Sequence, residues 1–159
     1  MPNFWKLSMG THAGGGEFPD LSTVQQHVQE GYVLVWGPTG RKGSSRHTQG
    51  ELFKDVAKIG DYFYLCHGNQ APGVLLLGKF SEPAITKHVH GGRKKWLGRK
   101  FERIKDSKLN ARYEGAERWW TPDHNSTFVR VPEHDLPGFE ADILRPYFGI
   151  GLSDLPSKS

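Results

Sequence analysis

Gly60 to Phe80 constrains this chain more than any other stretch: Gly-Asp-Tyr-Phe-Tyr-Leu-Cys-His-Gly-Asn-Gln-Ala-Pro-Gly-Val-Leu-Leu-Leu-Gly-Lys-Phe. Tyr62 to Cys66 is rich in aromatics and follows a Gly-Asp turn. His67 to Gly73 carries the turn formers Gly68, Asn69, Pro72 and Gly73. Val74 to Leu77 is a continuous apolar run, suited to a strand buried on both faces. It is too short for a helix, and glycines flank it. A hairpin is therefore expected here, at the centre of a small β-barrel onto which the rest of the chain wraps.

At 159 residues, 36% of them hydrophobic, the chain can bury a core as one domain. That domain is expected over residues 1–150, with 151–159 a tail or linker. No apolar run is long enough to span a membrane. The N-terminus shows no basic segment leading into an apolar one, so no signal peptide is expected. One cysteine, Cys66, excludes an intramolecular disulfide and a cysteine zinc cage. An intracellular, cytoplasmic setting fits. Net charge is +4, but it is segregated: Lys87 to Arg118 holds 11 Lys or Arg against four acids. Such segregation is the footprint of a polyanion-binding face, or else of a solvated basic helix with no partner.

In chain order, Phe4 to Ser8 reads as a first strand. The triple glycine Gly14 to Gly16 is not followed by Gly-Lys-Ser/Thr, which argues against a nucleotide P-loop. A short helix is expected from Asp20 through Gln29, stopped by Gly31. Tyr32 to Trp36 is the second strand. Arg41 to Gly50 is a polar, basic loop. Glu51 to Ile59 spaces its apolar residues at helical intervals, with Gly60 as its stop. Arg93 to Ile104 fits either a helix or a strand. Arg118-Trp119-Trp120 and Phe128 to Val131 are the last strand candidates. Ala141 to Tyr147 reads as a closing helix interrupted by Pro146.

This order resembles the EVE branch of the PUA-like superfamily, including the modified-base-binding N-terminal domains of McrB-type restriction systems. The matching residues are Trp5-Lys6-Leu7-Ser8, Val33-Leu34-Val35-Trp36-Gly37, Gly60-Asp61, His67-Gly68-Asn69 and Gly73 to Gly78. They cover roughly the first half of the chain; the basic segment and Trp119-Trp120 correspond only loosely. The resemblance implies an α+β fold, a PUA-like small β-barrel with helices packed outside. It also implies a pocket for a base flipped out of DNA, or for a modified base of single-stranded RNA as in the related YTH domains. Extruding a base costs a few kcal/mol. Stacking on an aromatic face returns roughly 1–3 kcal/mol, and a buried methyl adds about 1 kcal/mol.

The chemistry asks for aromatic walls, one or two polar groups for the base edge, and cationic loops for phosphates. Trp36 is the first expected wall and Trp5 the second, each with core packing as its alternative. Ser8 and Met9, where the first strand ends, can line the pocket. Tyr64 shares a strand face with Tyr62 and Cys66, opposite Phe63 and Leu65. His67 and Asn69 sit where the strand opens into the turn. Arg41, Lys42, Arg46, Arg93, Lys94, Lys95, Arg99, Lys100 and Arg118 are the expected phosphate contacts, with Trp119 and Trp120 as base-stacking or wedging partners.

His88-Val89-His90 is a weak metal signal, with no carboxylate or cysteine close by in sequence. His124-Asn125-Ser126 lacks the second motif that a two-histidine phosphoesterase needs. Pro122-Asp123 is not followed by the acid-x-Lys triplet of a metal-dependent nuclease. No cofactor or metal is therefore expected. The leading expectation is a non-catalytic reader of modified DNA, fused to or acting beside a nuclease or nucleotide-driven motor. An RNA-binding PUA- or YTH-like domain is the first alternative. A small metal-dependent nuclease or hydrolase using His67, His88 or His90 is the second.

Overall fold

The structure, a computed structural model, describes residues 2–8, 26–36, 49–66, 73–88, 95–109, 113–122 and 128–155; for 34–36, 49, 86–88 and 95–96 it describes the backbone alone. The strands are β1 (Phe4–Ser8), β2 (Tyr32–Trp36), β3 (Tyr62–Cys66), β4 (Val74–Phe80), β5 (Ile85–His88), β6 (Lys95–Asp106) and β7 (Phe128–Arg130). Helix α1 (Gln49–Glu51) widens into a π-type turn, Leu52–Val56. Helix α2 (Leu136–Phe139) widens likewise over Glu140–Phe148. Residues 26–29 are also helical; residues 20–25 of the expected helix lie outside the described ones.

The strands join in the order β2-β6-β4-β3-β1-β7, with β5 also on β6. Strands β1 and β3 run parallel; every other pairing is antiparallel. The class is α+β, as expected. Among the described residues the path ends on β2 and β7, and no pairing closes it.

Both β1 and β3 are buried along their whole length, because each face of the sheet carries a core. Trp5 and Leu7 share one core with Phe53, Phe63, Leu65, Phe80 and Phe128. Phe4 joins Tyr62, Tyr64 and Cys66 in the other, beneath Trp120, Phe139 and Leu144. The expected split of Tyr62, Tyr64 and Cys66 from Phe63 and Leu65 is thus seen, and both sets are core. The run Val74 to Leu77 feeds both cores through a bulge. Leu65 pairs with Leu76 and Cys66 with Val74, so Leu75 is the extra residue.

The turn before β3 fixes how these layers meet. Gly60 has φ +96°, a conformation that side chains disfavour. Its N–H donates to Phe80 O at 2.9 Å, and Phe80 N–H donates back to Asp61 O at 2.9 Å. The buried Asp61 carboxylate accepts from Asn3 N–H (3.1 Å), Lys58 N–H (3.0 Å) and Trp5 Nε1–H (3.0 Å). One side chain therefore joins the start of β1, the exit of α1 and an indole of the core.

Several elements differ from the sequence reading. Residues 95–106 form a strand of 12 residues, settling the helix-or-strand question. Trp119 and Trp120 lie in a turn, not a strand. Pro146 sits within the stretch Glu140–Phe148 that follows α2, where the π-type winding accommodates a residue with no N–H. Packing continues past residue 150: a 3₁₀ turn (Leu152–Asp154) brings Leu155 against the second core. Residues 156–159 lie outside the described ones. No helix among the described residues is long and apolar enough to cross a membrane.

Asp61→Ala should cost about 3 kcal/mol or more, since it orphans three donors, one of them the buried Trp5 indole. Asp61→Asn keeps one carbonyl oxygen and should recover part of that loss. Chemical denaturation of the three proteins checks this; a loss below about 1 kcal/mol for Ala would show that the turn holds without its carboxylate.

Candidate nucleic-acid interface

The three-stranded unit of β2, β6 and β5 brings basic and aromatic residues together. Antiparallel pairing sets Trp36 opposite Trp96, and Trp96 opposite Lys87. Lys95 lies opposite His88. The connection 37–48, carrying Arg41, Lys42 and Arg46, leaves β2 at Trp36. The connection 89–94, carrying Arg93 and Lys94, leaves β5 at His88 and enters β6 at Lys95. Two basic segments far apart in sequence are therefore tethered to one end of this unit. Arg41, Lys42, Arg46, Arg93 and Lys94 themselves lie outside the described residues, and Trp36 and Lys95 are placed by backbone register. Trp96 was missed in the sequence reading; its signal was a tryptophan directly following Lys94-Lys95.

The other end of the sheet gathers different candidates. Ser8 lies opposite Cys66, and Cys66 opposite Val74. Ser8 is buried at the end of β1; Met9, His67 and Asn69 fall outside the described residues. The hydrogen-bonded register does not itself join this group to Trp36.

Three expected ligand contacts are structural instead. Trp5 is fully buried, its indole stacked on Phe128 at 4.6 Å and its N–H held by Asp61, so its ring walls no open pocket. Tyr64 is also fully buried, and its hydroxyl donates to Trp120 O. Arg99 is 3% exposed. Its Nη1 donates to Phe53 O (2.9 Å) and Ala57 O (2.7 Å), and its Nε donates to Glu82 O (2.8 Å). The guanidinium also lies 4.5 Å from the Phe80 ring centroid. Burial pulls its pKa down and the charge of Asp61 pushes it back up. An arginine remains a cation under these conditions, and here it satisfies the carbonyls left open where α1 ends. It is a clamp, not a phosphate contact.

Of the remaining cations on β6, Lys100 is exposed, its Nζ 5.8 Å from the Tyr32 ring centroid. Arg103 is bonded to Asp106, an exposed pair worth little to stability but one that occupies the guanidinium.

The two adjacent tryptophans have opposite fates. Thr121 Oγ1 accepts from Arg118 N–H (2.9 Å) and donates to Arg118 O (2.8 Å), and Thr121 N–H also donates to that carbonyl (3.1 Å). This closes a tight turn over 118–121. Trp120 lies on its inner side, 1% exposed, with Nε1–H on Asp135 Oδ2 at 3.0 Å and its ring edge-on to Phe139. Trp120 is thus core, contrary to the stacking role expected of it. Trp119 is 53% exposed beside the exposed Arg118.

A groove of about 140 Å³ opens between the start of β1 and α2, lined by Asn3, Phe4, Arg130, Glu133 and Leu136. It holds none of the expected pocket residues. Among the described residues, no three His, Cys, Asp or Glu side chains gather as a metal site would need.

Trp120→Ala should cost about 3–5 kcal/mol, and Trp119→Ala less than about 1 kcal/mol. Arg99→Lys should destabilise by about 2 kcal/mol, because an ammonium lacks the planar fork that spans three carbonyls. Urea melts check all three; equal losses at 119 and 120 would contradict the inside–outside assignment. Compared with models of known protein families and with curated protein sequences, the chain matches none.

Proposed function

We propose that this chain is a non-catalytic reader of modified DNA, built as an EVE-type, PUA-like small barrel, which takes a modified base against Trp36 and holds the flanking phosphates with basic residues. The observation that carries the reading is the register at the end of β2, β5 and β6. It sets Trp36 beside Trp96 and tethers there the two segments bearing Arg41, Lys42, Arg46, Arg93 and Lys94. Aromatic faces for a base and cations for its phosphates are the two requirements of such recognition. A nuclease or nucleotide-driven motor, fused or associated, would act on what this domain selects.

The test is binding to oligonucleotides carrying N6-methyladenine, 5-methylcytosine or 5-hydroxymethylcytosine, as duplex and single strand, at two salt concentrations. Preference for one modified base is the expected result; equal binding to all, modified or not, would sink the reading. Trp36→Ala should reduce that preference by roughly 1–3 kcal/mol while leaving non-specific affinity nearly unchanged. Neutralising Arg93, Lys94 and Lys95 together should weaken binding to every sequence and flatten its salt dependence. An unchanged salt slope would shift the phosphate contacts to Arg41, Lys42 and Arg46.

A further inference from the structure

The unit of β2, β5 and the first half of β6 has two unlike faces. Val33 is buried in the first core, Leu97 and Phe101 pack against that core, and Arg99 is buried among them. Residues directly opposite on neighbouring strands share a face, and alternate residues along a strand take opposite ones. The pairing here is regular, so the other face carries three rows: Trp36, Trp96 and Lys87; then Leu34, Gly98 and Ile85; then Tyr32 and Lys100. On this face Gly98 is buried, but its described side chains reach solvent. Ile85 is 48% exposed, Lys100 is exposed, and Tyr32 is partly exposed.

We propose that this face binds an unpaired nucleic-acid strand, with the Trp36–Trp96 row and the Tyr32–Lys100 row as two successive base-stacking stations and Lys87 and Lys100 as phosphate contacts. The inference rests on the nucleic-acid reading above and narrows it to an unpaired tract, rather than one base drawn from an intact duplex. Tyr32 and Trp36 are four residues apart along β2, which at the rise of a strand is about 13 Å. One base cannot reach both rows. A base stacks on an aromatic side chain only when its own face is free; a duplex keeps its bases stacked and offers such a surface its phosphates alone. Charge agrees. The three rows contain two lysines and no acid, and the first acid along this face of β6 is Glu102, beyond Lys100.

The test uses the full chain and short fluorescent oligonucleotides of one sequence, as single-stranded DNA, single-stranded RNA and duplex DNA, followed by anisotropy. The single strands should bind at least about tenfold more tightly than the duplex, and the DNA and RNA arms tell which sugar the face prefers. Tyr32→Ala and Trp96→Ala should each weaken single-strand binding about 5- to 150-fold, with duplex binding little changed. Tyr32→Phe should retain it, since the ring remains. Lys100→Ala should lower the magnitude of the salt slope by about one. Should Trp96→Ala fail to fold, the Tyr32 pair decides alone, its melts confirming the native state. Duplex bound as tightly as single strand, or a folded Tyr32→Ala that binds single strands like the parent, overturns this proposal. If a modified duplex is still preferred in that case, the broader reading survives. If no nucleic acid binds at all, both fall.

Discussion

The Asp61 carboxylate is the interaction on which the rest depends. It gathers N–H groups from Asn3, Lys58 and Trp5 at one buried point. A buried carboxylate is tolerable only when it is hydrogen-bonded, and these three donors reach both of its oxygens. Arg99 supplies the opposite charge from β6 while clamping the end of α1 and the carbonyl of Glu82. Removing either group would leave the other's charge less compensated in a dry interior. The two side chains thereby tie the end of α1 to β1 and to β6.

Around that point the sheet has two regimes. At β1 and β3 it is covered on both faces and closely packed. Gly78 illustrates how tight this is: a methyl group there would lie 2.5 Å from Phe63 and 2.9 Å from Phe101. Where β6 runs beyond β4 to pair with β2 and β5, one face still serves the core and the other is open at Ile85 and Lys100. Chemistry that needs solvent access and positive charge belongs at that margin.

Much of the scaffold was legible because aromatic and β-branched runs can hardly be anything but strands in so glycine-rich a chain. Phe4 to Ser8, Tyr32 to Trp36 and Tyr62 to Cys66 end where the sequence places them. The reading of β6 stayed open because its charged residues do different jobs. Arg99 faces the core, Lys100 faces solvent, and Arg103 is bonded to Asp106, so no single periodicity emerges. A charge tally counts Arg99 as available to a polyanion; only its three carbonyl partners reveal otherwise. The tryptophans were harder still. Trp5 and Trp120 are anchored by carboxylates distant in sequence, Asp61 and Asp135, and neither bond follows from local pattern. The hydroxyl of Thr121, one residue beyond the pair, decides that Trp119 and Trp120 part company.

The attachment of β5 has a consequence for how firmly the open unit is held. Among the described strands β2, β5 and β7 each pair with a single neighbour, whereas β3 is gripped by a strand on each side and a core on each face. Local opening should therefore be cheaper at these edge strands than at β3, and amide hydrogen exchange would register that gradient residue by residue. Any ligand spanning β2, β6 and β5 would act as a staple across two of these edges. Its binding energy would appear as slowed exchange at β5 well before any rise in global stability.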